Sequence, residues 1–187
     1  MNSTGTSVQL KIDGFRIEGE IPVSKAEREP YVASKSSSIA RDLIALRLRH
    51  LILNAAGCQV TAHFWNQKEK CCQHLDPVSQ QYAADQLRLL IGYFLEGHYR
   101  PLPFFPNSSL AVTPGNENWK KVKTYRTAFS GSGFSRGDYD DPAVQQIFTE
   151  DALAEDSPFL DDFGTIAGVV FGFAKGSKSK KELKKDE

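Results

Sequence analysis

Val8, Leu10 and Ile12 alternate with polar residues, Asp13-Gly14 intervenes, and Phe15, Ile17 and Gly19 then alternate with Arg16, Glu18 and Glu20. Period-two alternation on both sides of an Asp-Gly pair predicts a β-hairpin, because that pair accepts the positive φ a tight hairpin turn demands. Pro22, which has no N–H to give a ladder, ends the second strand or lies at its edge. Tyr31-Val32-Ala33 suggests a short third strand. From Ile39 to Ala56 the period lengthens: Ile39, Leu43, Ile44, Leu48, Leu51, Ile52 and Ala55 follow helical spacing, and Gly57 is a natural stop. Val60 to Trp65 alternates again and reads as a strand, with His63 between apolar neighbours, and Gln67 to Gln73 reads as a charged loop. Asp76-Pro77 signals a helix start, a carboxylate N-cap with proline at the first position. Tyr82, Leu87, Leu90, Ile91 and Phe94 mark one face of that helix and Gly97 closes it.

Further along, Leu110 to Asn118 is turn-rich, Asn118 to Thr127 suggests another helix, and Ser130 to Gly137 reads as a Gly/Ser-rich connector. Asp141-Pro142 looks like a cap leading into Ala143 to Phe148, and Phe159 to Phe173 like a last helix. Hairpin, short strand, helix, strand and helix in that order predict an α/β fold, a small mixed sheet flanked by helices. The expected organisation is a flexible N-terminus over 1–7, one domain over 8–174, and a disordered lysine-rich tail over 175–187.

Composition narrows the chemistry. The chain has 187 residues and a formal net charge of zero, so DNA would have to be met by a local basic patch rather than a whole-surface field. No apolar run approaches the roughly 20 residues that cross a bilayer. Three cysteines, Cys58, Cys71 and Cys72, make no even disulfide framework and favour a reduced, cytoplasmic setting. Cys58, His63, Cys71, Cys72 and His74 lack the paired Cys-x₂₋₄-Cys spacing of a structural zinc site, so no metal and no cofactor is expected there. Lys120, Lys121, Lys123 and Arg126, beside Trp119 and Tyr125, and Arg136 farther on, are the candidate DNA-binding residues. Lysine and arginine neutralise phosphates, and aromatic rings stack on unpaired bases. The competing account is a solvated helix face with Trp119 and Tyr125 packed inward. Phe104 and Phe105, within Pro101 to Pro106, either plug a core edge or form an apolar patch for a partner.

Three stretches, in order, resemble one family. They are the helix Leu43-Ile44-Ala45-Leu46-Arg47-Leu48-Arg49-His50-Leu51-Ile52-Leu53-Asn54-Ala55-Ala56-Gly57, the loop Pro101-Leu102-Pro103-Phe104-Phe105-Pro106, and Gly137-Asp138-Tyr139-Asp140-Asp141-Pro142. They are similar to segments of the C-terminal, nuclease-like domain of RecC, the gamma subunit of exodeoxyribonuclease V. The resemblance implies a PD-(D/E)XK (restriction-endonuclease-like) core with a degenerate active site. It also implies a non-catalytic role in guiding DNA and contacting the beta and alpha subunits, in double-strand-break repair. Set against a full-length subunit, the resemblance leads one to expect neither the helicase-like region nor the helix that usually opens the fold here, as in an excised domain, a gene fragment or a stand-alone relative. An active relative would carry an acid where Pro22 stands and another at Ala33, followed by a lysine at Lys35. With both carboxylates missing, no catalytic residue is expected. The rivals are a relocated metal-dependent nuclease site using Glu18, Glu20 and Lys35, and a scaffold that touches only proteins.

Overall fold

The computed structural model describes residues 3–26, 28–34, 39–67, 71–112, 122–132 and 136–172. Where the sequence suggests one domain, these residues gather into two compact units, one up to Leu89 and the other Leu90–Gly172. Among the described residues, no helix is long and apolar enough to cross a membrane.

The first unit opens with the expected hairpin. Strands β1 (Ser3–Ile12) and β2 (Phe15–Ser24) pair antiparallel along their whole length. Asp13 and Gly14 take φ of 47° and 87°, the two positive values this turn needs. The ladder reaches back to Ser3↔Ser24, so residues 3–7, expected to be flexible, are strand. One hairpin face carries Val8, Ile21 and Val23 into a core with Leu53, and the other carries Glu18, Glu20 and Pro22 outward.

The second sheet has the order β3-β4-β5, built from Tyr31–Ser34, Ala62–Asn66 and Cys71–Leu75. β3 and β4 run parallel, joined through helix α1 (Ile39–Ala55), while β5 returns antiparallel. The sheet is mixed and small, as anticipated, but the hairpin forms a separate two-stranded ladder. β5 occupies part of the segment read as a charged loop. As an edge strand it carries Gln73 and His74 exposed, and its polarity hid it. Along β4, Ala62, Phe64 and Asn66 are buried while His63 and Trp65 are half-buried.

Helix α2 spans Gln80–Glu96. Asp76-Pro77 does not start it. The Asp76 carbonyl and the Val78 N–H are both bonded to α1 side chains, which holds the segment off helical geometry. Ser79 caps instead, its Oγ accepting from the Tyr82 N–H at 3.2 Å.

The second unit contains α3 (Pro106–Ala111), α4 (Val122–Ser130), a 3₁₀ turn (Asp138–Asp140), α5 (Pro142–Gln145) and α6 (Leu160–Phe171). The Asp141 cap of α5 is present, its carboxylate accepting from the Ala143 N–H at 2.9 Å. α3 begins just before the stretch read as turn-rich and takes in its first two residues. Phe105, Tyr125, Phe129, Phe148 and Phe163 form the core. The expected tail over 175–187 lies outside the described residues.

Candidate functional site

Three polar residues of the first motif face inward. Arg47, His50 and Asn54 stand at i, i+3 and i+7 on α1, so they share one face, and all three are buried. Asn54, fully buried, uses both ends of its amide. Nδ2 donates to the carbonyls of His50 and Val60 at 2.8 and 3.1 Å, and Oδ1 accepts from the Val78 N–H at 3.3 Å. His50 Nε2 lies 3.0 Å from the Asp76 carbonyl, which makes that nitrogen the protonated one. Arg47 Nη2 donates to Gln86 Oε1 at 3.4 Å. Burial lowers the pKa of the Arg47 guanidinium, against a raising contribution from the Tyr82 hydroxyl. Burial likewise lowers that of His50. Its bond to the Asp76 carbonyl opposes the shift, the Arg47 charge adds to it, and the Val60 carbonyl and Asp76 charge oppose it more weakly. Arg47 Nε and His50 Nδ1 are buried without a hydrogen-bond partner.

The second and third motifs meet. The Asp138 carboxylate sits over the start of α3. Asn107 donates to its Oδ1 from the backbone N–H and from Nδ2, at 3.3 and 3.0 Å, and Ser108 donates to its Oδ2 from the N–H and Oγ, at 2.8 and 2.6 Å. Two of these donors are backbone groups that a helix leaves unpaired at its N-terminus. A Cβ on Gly137 would lie 2.1 Å from the Phe129 carbonyl oxygen and 2.3 Å from the Gly131 nitrogen, so only glycine lets the chain pass α4 and deliver Asp138. Both motifs are visible in the sequence, but the bond between them is not. Its signal was an aspartate after glycine in one and Asn107-Ser108 behind a helix-starting proline in the other.

Phe105 is 1% exposed, with ring centroids 4.7 Å from Phe129 and 5.0 Å from Phe148. Of the two expectations for Phe105 the core plug holds, not the partner patch: the ring fills the core, leaving a partner almost nothing to touch. Phe104 is half-buried, 6.1 Å from Phe171.

The candidate DNA-binding residues are described only in part. Lys120 and Lys121 lie outside the described residues, and Lys123 is in the first turn of α4. Arg126 is committed within its own unit. Nε donates to the Leu153 carbonyl at 3.2 Å and Nη2 lies 3.4 Å from Glu155 Oε1. Arg136 is exposed. From Gly137 to Asp162 the sequence has nine carboxylates and no lysine or arginine.

For the relocated nuclease site, Glu18 is ion-paired with Arg16 on the outer hairpin face, Glu20 folds over Gly5, and Lys35 lies outside the described residues. Pro22 pairs with Gly5, and Ala33 with Trp65. Among the described residues no group of three or more His, Cys, Asp or Glu is placed to hold a metal ion. His63 bonds Glu29 at 2.6 Å and His74 lies 3.4 Å from Asp76. Cys58 is exposed and free.

Small sheets, a parallel crossover through α1 and flanking helices define a mixed α/β protein. The model of the RecC C-terminal domain family matches residues 4–114, well over half the chain, so the chain belongs to that family. The match takes in the first two motifs and ends before the third. No curated protein matches the chain.

Proposed function

We propose that this domain serves an exodeoxyribonuclease V-like complex without cutting DNA, guiding a DNA strand and contacting the other subunits in double-strand-break repair. The observation that carries the reading is the family match over residues 4–114. The hairpin followed by a β3-α1-β4 parallel crossover supports a PD-(D/E)XK-like core. Pro22 and Ala33 then stand where metal-binding acids would be, and neither side chain can ligate Mg²⁺. DNA contact would fall to Lys120, Lys121, Lys123 and Arg136, with Arg126 a lesser contributor because its guanidinium is already engaged.

A second reading, a scaffold that touches only proteins, is favoured by the acidic run from Gly137 to Asp162 and by the exposed rings of Phe94 and Tyr99. A titration of forked DNA in EDTA and in Mn²⁺, read for both binding and cleavage, separates the readings. Strand guidance gives binding in EDTA without cleavage in either buffer. Lys123→Ala/Arg136→Ala then lowers the slope of log affinity against log salt by about one per charge removed. No binding in either buffer supports the scaffold. Cleavage in Mn²⁺ that Glu20→Ala abolishes overturns both.

A further inference from the structure

Three connections run from α1 to residues 76–80, from just after β5 to the first residue of α2: His50 to the Asp76 carbonyl, Asn54 to the Val78 N–H, and the Ala55 carbonyl accepting from Gln80 Nε2 at 2.9 Å. One turn earlier, Arg47 reaches Gln86 of α2. Asn54 and Gln80 do not titrate, and an arginine stays charged across the physiological range. His50 is therefore the one member of this row whose charge can change near neutral pH.

We propose that Arg47, His50 and Asn54 form an acid-sensitive latch that seats residues 76–86 on α1, and that protonation of His50 opens it. The imidazole is 2% exposed and its Nε2–H already serves the Asp76 carbonyl. An added proton must go on Nδ1, a buried atom with no partner, and creates a second positive charge one turn from the buried Arg47 guanidinium. Of the other groups facing this space, the Val60 carbonyl and the Asp76 carboxylate favour the charged ring but do not outweigh its burial. The Val60 carbonyl is shared with Asn54, the Tyr82 hydroxyl is turned to Arg47, and the exposed Asp76 carboxylate lies 3.4 Å from His74. Burial and the Arg47 charge hold His50 below its ordinary value of 6.5, so an opened or unfolded chain takes the proton first. The latch is at full strength above that value and weakens as pH falls from there through the folded-state value.

The test is hydrogen exchange resolved to residues 76–86, corrected for intrinsic rates, in the intact chain at about pH 7.5 and about pH 5. Protection of Val78 and Tyr82 is expected to drop about tenfold or more at the lower pH while the β1–β2 ladder holds. In His50→Gln, whose amide can still donate to the Asp76 carbonyl, the drop should disappear. In Arg47→Met it should shrink, because the repelling charge is gone. In His74→Gln it should persist. The proposal is overturned if protection of 76–86 does not change with pH. It is also overturned if His74→Gln rather than His50→Gln or Arg47→Met removes the drop. Arg47→Met decides the matter should His50→Gln not fold.

Discussion

Beneath the hairpin and sheet of the first unit, the buried face of α1 carries an arginine, a histidine and an asparagine. At comparable depth in the second unit, Phe105 is ringed by Phe129, Phe148 and Phe163. The first arrangement is directional. Each buried donor or acceptor needs one partner at one angle, and losing that partner strands a polar group away from water. The second is non-directional, and its energy follows the apolar area removed from water. Motif residues thus do opposite jobs from those their chemistry advertises: polar ones hold the chain's own segments, and aromatic ones are packed away.

The comparison breaks most visibly at Phe105. Phe105→Ala should cost about 3–5 kcal/mol, the range for emptying a large aromatic site. Exchange protection should fall across Leu90–Gly172 more than in the β1–β2 hairpin. Equal loss in both places would mean the aromatic cluster is not confined to its own unit.

Asp138→Ala comes next, at about 3 kcal/mol, because it leaves four donors from Asn107 and Ser108 without their charged acceptor. Asp138→Asn keeps an acceptor and should recover part of the loss in guanidinium unfolding. Full recovery would show that geometry rather than charge holds α3. In the first unit, Asn54→Ala should cost about 2 kcal/mol and expose the Val78 amide to exchange. If Asn54→Ala proves harmless while Phe105→Ala is severe, the polar row is ornament and both units rest on apolar packing alone.

The sequence is most readable where a local rule and the tertiary environment agree. Asp13-Gly14 dictates a turn in any context, and Asp141-Pro142 caps α5 as it would cap an isolated helix. Asp76-Pro77 carries the same cap signature and fails, because His50 and Asn54, more than twenty positions earlier, claim the backbone groups a helix would use. β5 escaped notice for a related reason: what makes it a strand is the partner at Ala62–Asn66, not its own pattern. The Asp138 bridge to α3 lies thirty residues from its donors. The candidate basic residues show the limit of composition. Lys120 to Arg126 look like one patch in the chain, yet Arg126 is turned to Leu153 and Glu155. The proposed DNA and partner roles rest mainly on the family, with the basic and aromatic residues only suggesting where they would fall.

The smallest expected effect marks where the comparison stops applying. Arg88 ties the hairpin tip to α2, with Nε donating to Asp13 Oδ2 at 2.6 Å and Nη1 meeting Asp85. The geometry rivals that of the buried row, but every partner is exposed. Water competes for each charge, and ordering the long side chain offsets what the pair gains. Arg88→Ala should therefore leave the unfolding midpoint unchanged and alter exchange at the Asp13-Gly14 turn by no more than about twofold. A clear loss of hairpin protection would show that the tip depends on α2 as much as on its own ladder. Burial would then no longer be what separates a structural polar contact from an incidental one in this chain.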